Sequence, residues 1–465
     1  MKLYNSLSKK LEDFRPNDPD NVKIYACGPT VYNDLQIGNL TAFIYADLLV
    51  RLLRDLGLNV DAVMNITDVD DKMIRDSQTQ YPDHEPMDAL KSLADKYTAV
   101  FLDDMTKIHA TSFRHVSATD HIDDMLRLVT DLLDKNLAYV ADDGVYFSIS
   151  EYSSAGNIYG RLTNIDPDAS RSRIHDDEYD GAGDFALWKL AKPNEPSWGF
   201  NYEGRDLTGR PGWHIECSAM IEASLGTPID IHTGGIDLKF PHHENEIAQS
   251  SILCSGCMST IFFHNEHLLV DGQKMSKSKG NFYTLRQIED KGYDPTVFRL
   301  VVIQSHYRST LDFSWDALDA AQTRLDRWRK ASDLRWQVQP GEPDTDDQNI
   351  TYEITDRFAE HLFNDLDTPK ALAEIEKLFS LIDKDGMKSG YHQMFQRTLE
   401  RFRDIFGIDL LRDDITDEQK ELVAKRRIAR GEKDWTASDQ IRDQLASQGI
   451  TLNDGPHGQT WSRAI

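Results

Sequence analysis

The chain has 465 residues, enough for roughly three domains that each bury a core. It carries 52 Lys and Arg against 78 Asp and Glu, and the net charge of −26 excludes nucleic-acid binding through bulk charge, although not through a local basic patch. With four cysteines, no signal-peptide core after Met1 and no apolar run near the ~18 residues of a membrane span, we expect a cytoplasmic protein without disulfides or membrane contact.

The first predicted elements are a strand, a glycine-bearing loop and a helix. The mostly apolar run Val22–Ala26 predicts the strand, and the loop after it begins with Cys27, a soft metal ligand. A helical pattern over residues 41–56 follows and stops at Gly57, a typical C′ residue. This order of elements directs backbone N–H groups and a positive helix end towards a phosphate.

A second strand, predicted at residues 60–64, completes a βαβ unit and indicates a parallel sheet. The polar segment 65–72 follows this strand, and its aspartates would also serve simply to cap the next helix. The helical pattern then continues to about residue 108. We therefore expect the first half of an α/β fold in this part of the chain.

Residues 116–210 differ in character, and we interpret them as an insertion between two halves of a nucleotide-binding sheet. Apolar residues recur at helical spacing over 122–133, a strand is predicted at 145–149, and the acidic segment 176–184 is predicted to be a loop. The sheet resumes with a strand at 229–232, followed by Gly234 and Gly235, which let a ligand or backbone approach closely.

Two groups of residues in the second half could bind a metal ion. His242 and Glu246 are four residues apart on a predicted helix that Pro241 begins, and His243 with Glu246 would serve nearly as well, so spacing leaves both choices open. Cys254 and Cys257 form a Cys-x-x-Cys pair, which is compatible with an inert half-buried pair, a structural metal site or a redox motif.

Six segments together resemble the cysteinyl-tRNA synthetase family, in family order from residue 1 to about 463. The most specific are Lys274-Met275-Ser276-Lys277-Ser278 and the Pro-His-His-Glu-Asn-Glu run at 241–246. The others are residues 27–32, 65–72, 212–220 and 454–461. Gln36-Ile37-Gly38-Asn39 is similar to the HIGH signature of class I synthetases, with both histidines replaced by amides that can still donate hydrogen bonds to phosphate.

The resemblance implies a role for each matching position. Zinc would be held by Cys27, Cys217, His242 and Glu246. The substrate cysteine would be surrounded by Gly28, Thr30, Thr67 and Trp213, and the adenosine by His232, Gly234, Gly235 and Asp237. The catalytic set would be Lys274, Lys277, Gln36 and Asn39, with Gly38 allowing ATP close to the backbone. Anticodon contacts would come from Arg430, Trp435, Asp439 and Asp454.

The fold class implied is α/β: a class I Rossmann-like parallel sheet with an inserted domain, then a helical bundle and a small C-terminal domain. The expected boundaries are 1–115 and 211–284 for the two catalytic halves, 116–210 for the insertion, 285–336 for a stem-contact region, 337–410 for the bundle and 411–465 for anticodon binding.

The activity implied is that of an ATP-dependent, AMP-forming cysteine–tRNA ligase acting on cysteine, ATP and tRNA(Cys), with one zinc per chain and magnesium accompanying ATP. Zinc would select the substrate thiolate over the serine hydroxyl, so no separate editing domain is expected. We expect a monomer. Two alternatives stay open: a tRNA-independent cysteine ligase of the mycothiol-biosynthesis type, and a non-catalytic zinc and tRNA-binding paralogue, which the replaced histidines would suit.

Overall fold

A computed structural model of the chain describes residues 1–163, 183–254, 257–275, 281–339, 345–389, 392–455 and 458–463. The chain divides into two units. The larger comprises Met1–Pro295 with Tyr307–Phe313, and the smaller comprises Thr296–His306 with Ser314–Ile465. Across the described residues, the helices are too short or too polar to traverse a lipid bilayer.

The described chain contains the following strands and helices. The strands are β1 (Lys2–Asn5), β2 (Lys10–Asp13), β3 (Val22–Ala26), β4 (Val60–Ile66), β5 (Arg114–Ser117), β6 (Ala138–Val140), β7 (Gly144–Phe147), β8 (Phe185–Leu190), β9 (Asn201–Tyr202), β10 (Arg205–Asp206), β11 (Gly209–Pro211), β12 (Ile229–Gly235), β13 (Ser259–Asn265), β14 (Leu268–Val270), β15 (Gln273–Lys274), β16 (Leu311–Phe313), β17 (Ile450–Gly455) and β18 (Gly458–Arg463). The helices are α1 (Ile37–Asp55), α2 (Asp71–Gln80), α3 (Pro86–Lys107), α4 (Ile122–Asp134), α5 (Ile149–Ser154), α6 (Trp213–Ser224), α7 (His242–Gln249), α8 (Leu285–Asp290), α9 (Pro295–Ile303), α10 (Trp315–Asp333), α11 (Thr345–Phe363), α12 (Thr368–Asp385), α13 (His392–Phe406), α14 (Asp417–Gly431) and α15 (Trp435–Ser447).

The larger unit is built around a five-stranded sheet in the order β13-β12-β3-β4-β5, in which every neighbouring pair is parallel. The predicted βαβ unit is therefore confirmed. The apolar run of β3 is buried because parallel strands are covered on both faces. The carboxyl ends of β3, β4 and β12 meet at one edge, where parallel sheets bind ligands.

Helix α1 begins four residues earlier than its apolar pattern predicted. Gln36 has an extended backbone, and the next amide, that of Ile37, donates to the Tyr283 carbonyl at 2.9 Å. This contact with a distant segment fixes the helix start, and no local pattern could reveal it. The predicted C′ glycine is confirmed, because Gly57 has a φ of +79°.

The predicted insertion contains its own antiparallel sheet, in the order β11-β8-β7-β6, and it lies in sequence between β5 and β12. Helix α4 covers a core with the apolar face expected from its spacing. Most of the predicted acidic loop 176–184 lies outside the described residues. Its last residue, Asp184, accepts a hydrogen bond from the amide of Ile149 at 2.9 Å.

The smaller unit contains helices α10 to α13 and a C-terminal part made of α14, α15 and the hairpin β17–β18. Aromatic rings pack the helices together, with Trp328 stacked on Phe379 at 5.6 Å between ring centroids. The C-terminal part has a separate small core of Ile415, Val423, Leu445, Ile450, Leu452 and Trp461.

Candidate functional site

The four predicted zinc ligands meet at the carboxyl edge of the parallel sheet. Cys27 follows β3, Cys217 lies on α6, and His242 and Glu246 lie one turn apart on α7. The two sulfurs are 3.8 Å apart, and Cys27 Sγ is 3.6 Å from Glu246 Oε1, which is 2.8 Å from His242 Nε2. All four are buried, and one donor atom from each lies within 4.8 Å of the others.

A second grouping shares two of these residues. His243 Nε2 lies 3.3 Å from Cys27 Sγ, and His232 Nε2 lies 2.6 Å from Glu246 Oε2. One donor atom each from Cys27, His232, His243 and Glu246 also lies within 4.8 Å of the others, so these four residues could hold a metal ion as well. The first grouping offers two thiols to a metal instead of one, and it suits a soft, thiolate-binding ion better.

The side chains of this group shift one another's pKa values. The hydrogen bond from Cys27 lowers the pKa of Cys217 to about 6, whereas burial raises the pKa of Cys27. Burial opposes ionisation of Glu246, but His232 and His242 hold the pKa of Glu246 well below its usual value. Burial also lowers the pKa of His242, yet Glu246 outweighs it and raises that pKa to about 10. Two sulfurs, an imidazole and a carboxylate in a buried group fit zinc.

Neighbouring side chains hold α7 and its ligands in place. The Glu244 carboxylate accepts hydrogen bonds from the amides of Gly160, Arg161 and Leu162 at 2.8–2.9 Å. The Trp213 ring stacks on that of His242 at 4.2 Å, and His214 Nδ1 lies 3.0 Å from His242 Nδ1. Such contacts orient metal ligands in advance of binding.

A cavity of about 410 Å³ opens beside the cluster. Cys27, Gly28, Thr30 and Trp213 line one part, and the N-terminus of α1 contributes Gln36, Gly38 and Asn39. The remaining lining includes Tyr32, Asp34, Lys72, Gly235, Asp237, Asn265, Glu266, His267, Met275 and Phe282. The cavity thus extends from the buried thiol of Cys27 to a helix N-terminus that suits phosphate.

Three of the predicted site residues, His232, Gly234 and Thr67, are not among the residues that line this cavity. His232 is fully buried against Glu246, with Nδ1 3.2 Å from the Tyr25 carbonyl. Gly234 makes room for a side chain, since a Cβ there would lie 2.8 Å from His243 Cε1. Thr67 is buried and donates to Glu216 Oε2 at 2.9 Å. We therefore expect His232, Gly234 and Thr67 to act through the residues they touch.

At Gly28 and Gly38, other atoms of the protein occupy the space that a side chain would need. A Cβ on Gly28 would lie 1.8 Å from the Asn65 carbonyl oxygen, and the Gly28 amide donates to Asn65 Oδ1 at 2.8 Å. A Cβ on Gly38 would lie 2.8 Å from Met275 Cε. Any larger residue at Gly28 would push β3 and β4 apart, so this glycine is required by the sheet itself.

Sequence reasoning missed Glu216 and Glu244. Both carboxylates are buried, and burial together with Cys217 raises the pKa of Glu216 well above its usual value. The available signal was an acidic residue set directly between Ile215 and Cys217. Its partner Thr67 also accepts from Asn65 Nδ2 at 3.1 Å, so the three residues link α6 to the end of β4.

The predicted phosphate-binding loop is only partly described. The backbone of Lys274 pairs with Leu269 in the short hairpin β14–β15, whose turn residues Asp271 and Gly272 have the positive φ values expected of them. Lys277 lies outside the described residues.

The predicted anticodon residues lie in the C-terminal part of the smaller unit. Arg430 contacts two of the others, with its guanidinium 5.7 Å from the Trp435 ring and 2.9 Å from Asp454 Oδ2. Trp435 is 56% exposed, which is unusual for so large an aromatic side chain. Asp439 instead pairs with Arg442 at 3.1 Å.

Comparison with known families identifies two matches. Residues 13–323 match the family described as "tRNA synthetases class I (C) catalytic domain". Residues 412–461 match the "Cysteinyl-tRNA ligase anticodon binding domain".

Curated relatives match over their full length. A "Cysteine--tRNA ligase" from Leptospira interrogans is 41% identical over 487 residues, covering 100% of this chain and 99% of the relative. A protein of the same name from Brachyspira hyodysenteriae is 38% identical, covering 99% of each chain.

Solved structures share the fold at low identity. Mycobacterium tuberculosis methionyl-tRNA synthetase in complex with methionyl-adenylate has a TM-score of 0.57 at 14% identity, covering 83% of this chain and 88% of that one. The LeuRS of Agrobacterium radiobacter, from a ternary complex with tRNA, has a TM-score of 0.59 at 11% identity, covering 86% of each.

Proposed function

The chain belongs to the cysteine–tRNA ligase family of class I tRNA synthetases, and from this we propose that it activates cysteine with ATP and transfers it to tRNA(Cys). One observation carries the proposal. The buried group of Cys27, Cys217, His242 and Glu246 lies beside the cavity that the N-terminus of α1 also lines. A thiol-binding centre and a phosphate-binding helix end then face one small substrate volume.

In the proposed site, Cys27, Cys217, His242 and Glu246 hold one zinc ion. Zinc bound there would supply a soft Lewis acid, which favours a thiolate over the harder and less acidic hydroxyl of serine. An apolar pocket alone would separate two such similar side chains only weakly. Trp213 packs against His242 and lines the cavity, so it fixes the ligand and bounds the space around the substrate side chain.

The proposed reaction is attack of the cysteine carboxylate on the α-phosphorus of ATP, which forms cysteinyl-adenylate and releases pyrophosphate. Positioning and charge neutralisation dominate such phosphoryl chemistry. The amides of Gln36 and Asn39 and the N-terminus of α1 donate to phosphate oxygens, while Lys274 and Lys277 neutralise charge with magnesium. Gly38 keeps the backbone accessible, and Asp237 lies on the adenosine side.

Transfer to tRNA requires recognition of unpaired bases, and the C-terminal part supplies suitable groups. Trp435 offers an exposed stacking surface beside the guanidinium of Arg430, and Asp454 orients that guanidinium. The match of residues 412–461 to an anticodon-binding domain supports this role over a tRNA-independent ligase of the mycothiol type. We found no contact among the described residues that favours a non-catalytic paralogue.

The proposal is tested by cysteine-dependent exchange of pyrophosphate into ATP, followed by charging of a tRNA with a GCA anticodon. We expect exchange with cysteine, and exchange with serine lower by at least about 100-fold. Equal exchange with the two amino acids would overturn the role of the thiol site. Exchange without charging would instead favour the tRNA-independent alternative.

A further inference from the structure

Residues 65–72 run from the end of β4 to the start of α2, and their polar side chains bond to neighbouring parts of the larger unit. Asn65 Oδ1 accepts a hydrogen bond from the Gly28 amide, and the Thr67 hydroxyl donates one to Glu216. Asp68 accepts from the Thr119 amide at 2.9 Å and from the Thr119 hydroxyl at 2.5 Å. These contacts tie the segment to β3, α6 and the start of the insertion.

The start of α2 is fixed in the same way. Asp70 caps the helix by accepting from the Met73 amide at 2.6 Å. Asp71 pairs with Lys189 Nζ at 2.9 Å and with the guanidinium of Arg210, and both cations are buried. The backbone position of the next residue, Lys72, is therefore set on both sides by contacts that involve no substrate.

Lys72 itself lies on the wall of the cavity and is partly buried. Its ammonium lies 5.5 Å from the centroid of the Tyr32 ring, which also lines the cavity. Among the described lining residues, Lys72 is the only Lys or Arg, whereas Asp34, Asp237 and Glu266 are acidic. Among the described residues of the lining, Lys72 is therefore the side chain best suited to pair with a carboxylate of the substrate.

Backbone hydrogen bonds connect the segment that leads to Lys72 with the loop that follows Cys27. The Thr67 amide donates to the Pro29 carbonyl at 3.0 Å, and the Val31 amide donates to the Thr67 carbonyl at 3.1 Å. The segment that begins α2 therefore runs beside the loop that starts at Cys27. The N-terminus of α1, where phosphate is expected, follows the far end of that loop.

We propose that the Lys72 ammonium pairs with the α-carboxylate of the substrate cysteine and holds it for attack on ATP. This inference rests on the proposed function. Only Cα and Cβ separate the carboxyl carbon of cysteine from its sulfur, so a substrate whose sulfur lies beside Cys27 has its carboxylate within the cavity that Lys72 also lines. In the reaction one carboxylate oxygen bonds to the α-phosphorus as the bond to pyrophosphate breaks. No proton moves, so a permanently charged ammonium serves throughout.

The test compares cysteine with cysteamine, which has the same thiol and amine but lacks the carboxylate. Three variants are assayed by pyrophosphate exchange: Lys72→Met, Lys72→Arg and, as a matched control on the exposed face of α3, Lys91→Met. In Lys72→Met we expect the KM for cysteine to rise about 10- to 100-fold, because an ion-paired hydrogen bond is lost. The inhibition constant of cysteamine should change by less than about twofold, and Lys72→Arg should retain most of the affinity.

Each other outcome contradicts the inference. If the constants for cysteine and cysteamine rise together, Lys72 supports the wall and does not read the carboxylate. If exchange is unchanged and only transfer to tRNA falls, the ammonium faces a phosphate of the acceptor end. If the unmodified protein shows no cysteine-dependent exchange, the proposed function fails, and this inference fails with it.

Discussion

The chain contains two pairs of cysteines, and the fold uses them differently. Cys27 and Cys217 are 190 positions apart, yet their sulfurs lie 3.8 Å from each other among buried imidazole and carboxylate groups. Cys254 and Cys257 are near neighbours in sequence and only partly buried, and Cys254 Sγ contacts the Ser250 carbonyl at 3.6 Å. In the part of the chain that the structure describes, neither residue belongs to a metal-binding group.

The difference between the pairs is chemical as well as geometric. The hydrogen-bonding contact with Cys27 lowers the pKa of Cys217 to about 6, which favours the thiolate form of Cys217 near neutral pH. Burial raises the pKa of Cys254 and of Cys257, and both stay protonated. Among the described residues, the cysteines that share a candidate metal site are therefore the two that are far apart in sequence, not the closely spaced pair.

Replacing one cysteine of each pair by serine should give the largest difference in zinc content and activity. We expect Cys217→Ser to lose zinc and to reduce cysteine-dependent exchange by at least about 100-fold, because a hydroxyl replaces a soft ligand. Cys254→Ser should keep one zinc per chain and exchange within about twofold. The test measures zinc per chain in each purified variant, and the thermal unfolding midpoint shows whether the variant is folded. Zinc retained in Cys217→Ser, or lost in Cys254→Ser, would reverse the assignment.

The pH dependence of zinc binding sharpens the same contrast. Cys27 and His242 both hold a proton at neutral pH in the metal-free cluster, since their pKa values are raised. Zinc must displace these protons, so affinity should weaken as pH falls, by about tenfold per pH unit for each proton displaced. Competition with a chelator between pH 9 and 7, values chosen below the raised pKa values, measures the slope. A flat profile would rule out displacement, and Cys254→Ser should match the unmodified protein.

The smallest expected effect concerns Glu244, which anchors α7, the helix that carries His242 and Glu246. The Glu244 carboxylate accepts hydrogen bonds from three backbone N–H groups. In Glu244→Gln, the new side-chain NH₂ must face at least one of these donors and cannot accept its hydrogen bond. We expect the free energy of unfolding of the larger unit to fall by about 1–3 kcal/mol. Denaturant unfolding in the presence of zinc measures it.

Glu151→Gln, at an exposed position on α5, is the matched control for this change. It should alter the free energy of unfolding by less than about 0.5 kcal/mol. Equal stability of the two variants would mean that the three amides find other partners when the carboxylate is removed.

Local sequence predicted those features that depend on local physics. The strand Val22–Ala26 and the glycine that ends α1 are where the pattern placed them, because apolar runs and positive φ values are local properties. Spacing could not choose between His242 and His243, and the structure shows why. Both imidazoles reach the same buried group, one through Glu246 and the other through Cys27.

The rest of the site depends on contacts between distant segments. Glu216 meets Thr67 across 149 positions, and Glu244 meets Gly160 across 84. A buried acid gives no periodic signal of its own, so these two could not be identified without the fold. From the resemblance we expect His232 and Gly234 beside adenosine. In the fold, Glu246 lies against His232 and the His243 ring lies against Gly234.

The distance along the chain between Cys27 and Cys217 has a consequence for biosynthesis. At the usual pace of translation, the second sulfur leaves the ribosome roughly 10 to 40 seconds after the first. Throughout that interval Cys27 has no partner with which to capture a metal, and a chain released early would never acquire one. If these residues hold the ion, loading can occur only after Glu246 has been synthesised, so metal content would distinguish chains that reach the second half of the parallel sheet from chains released before it.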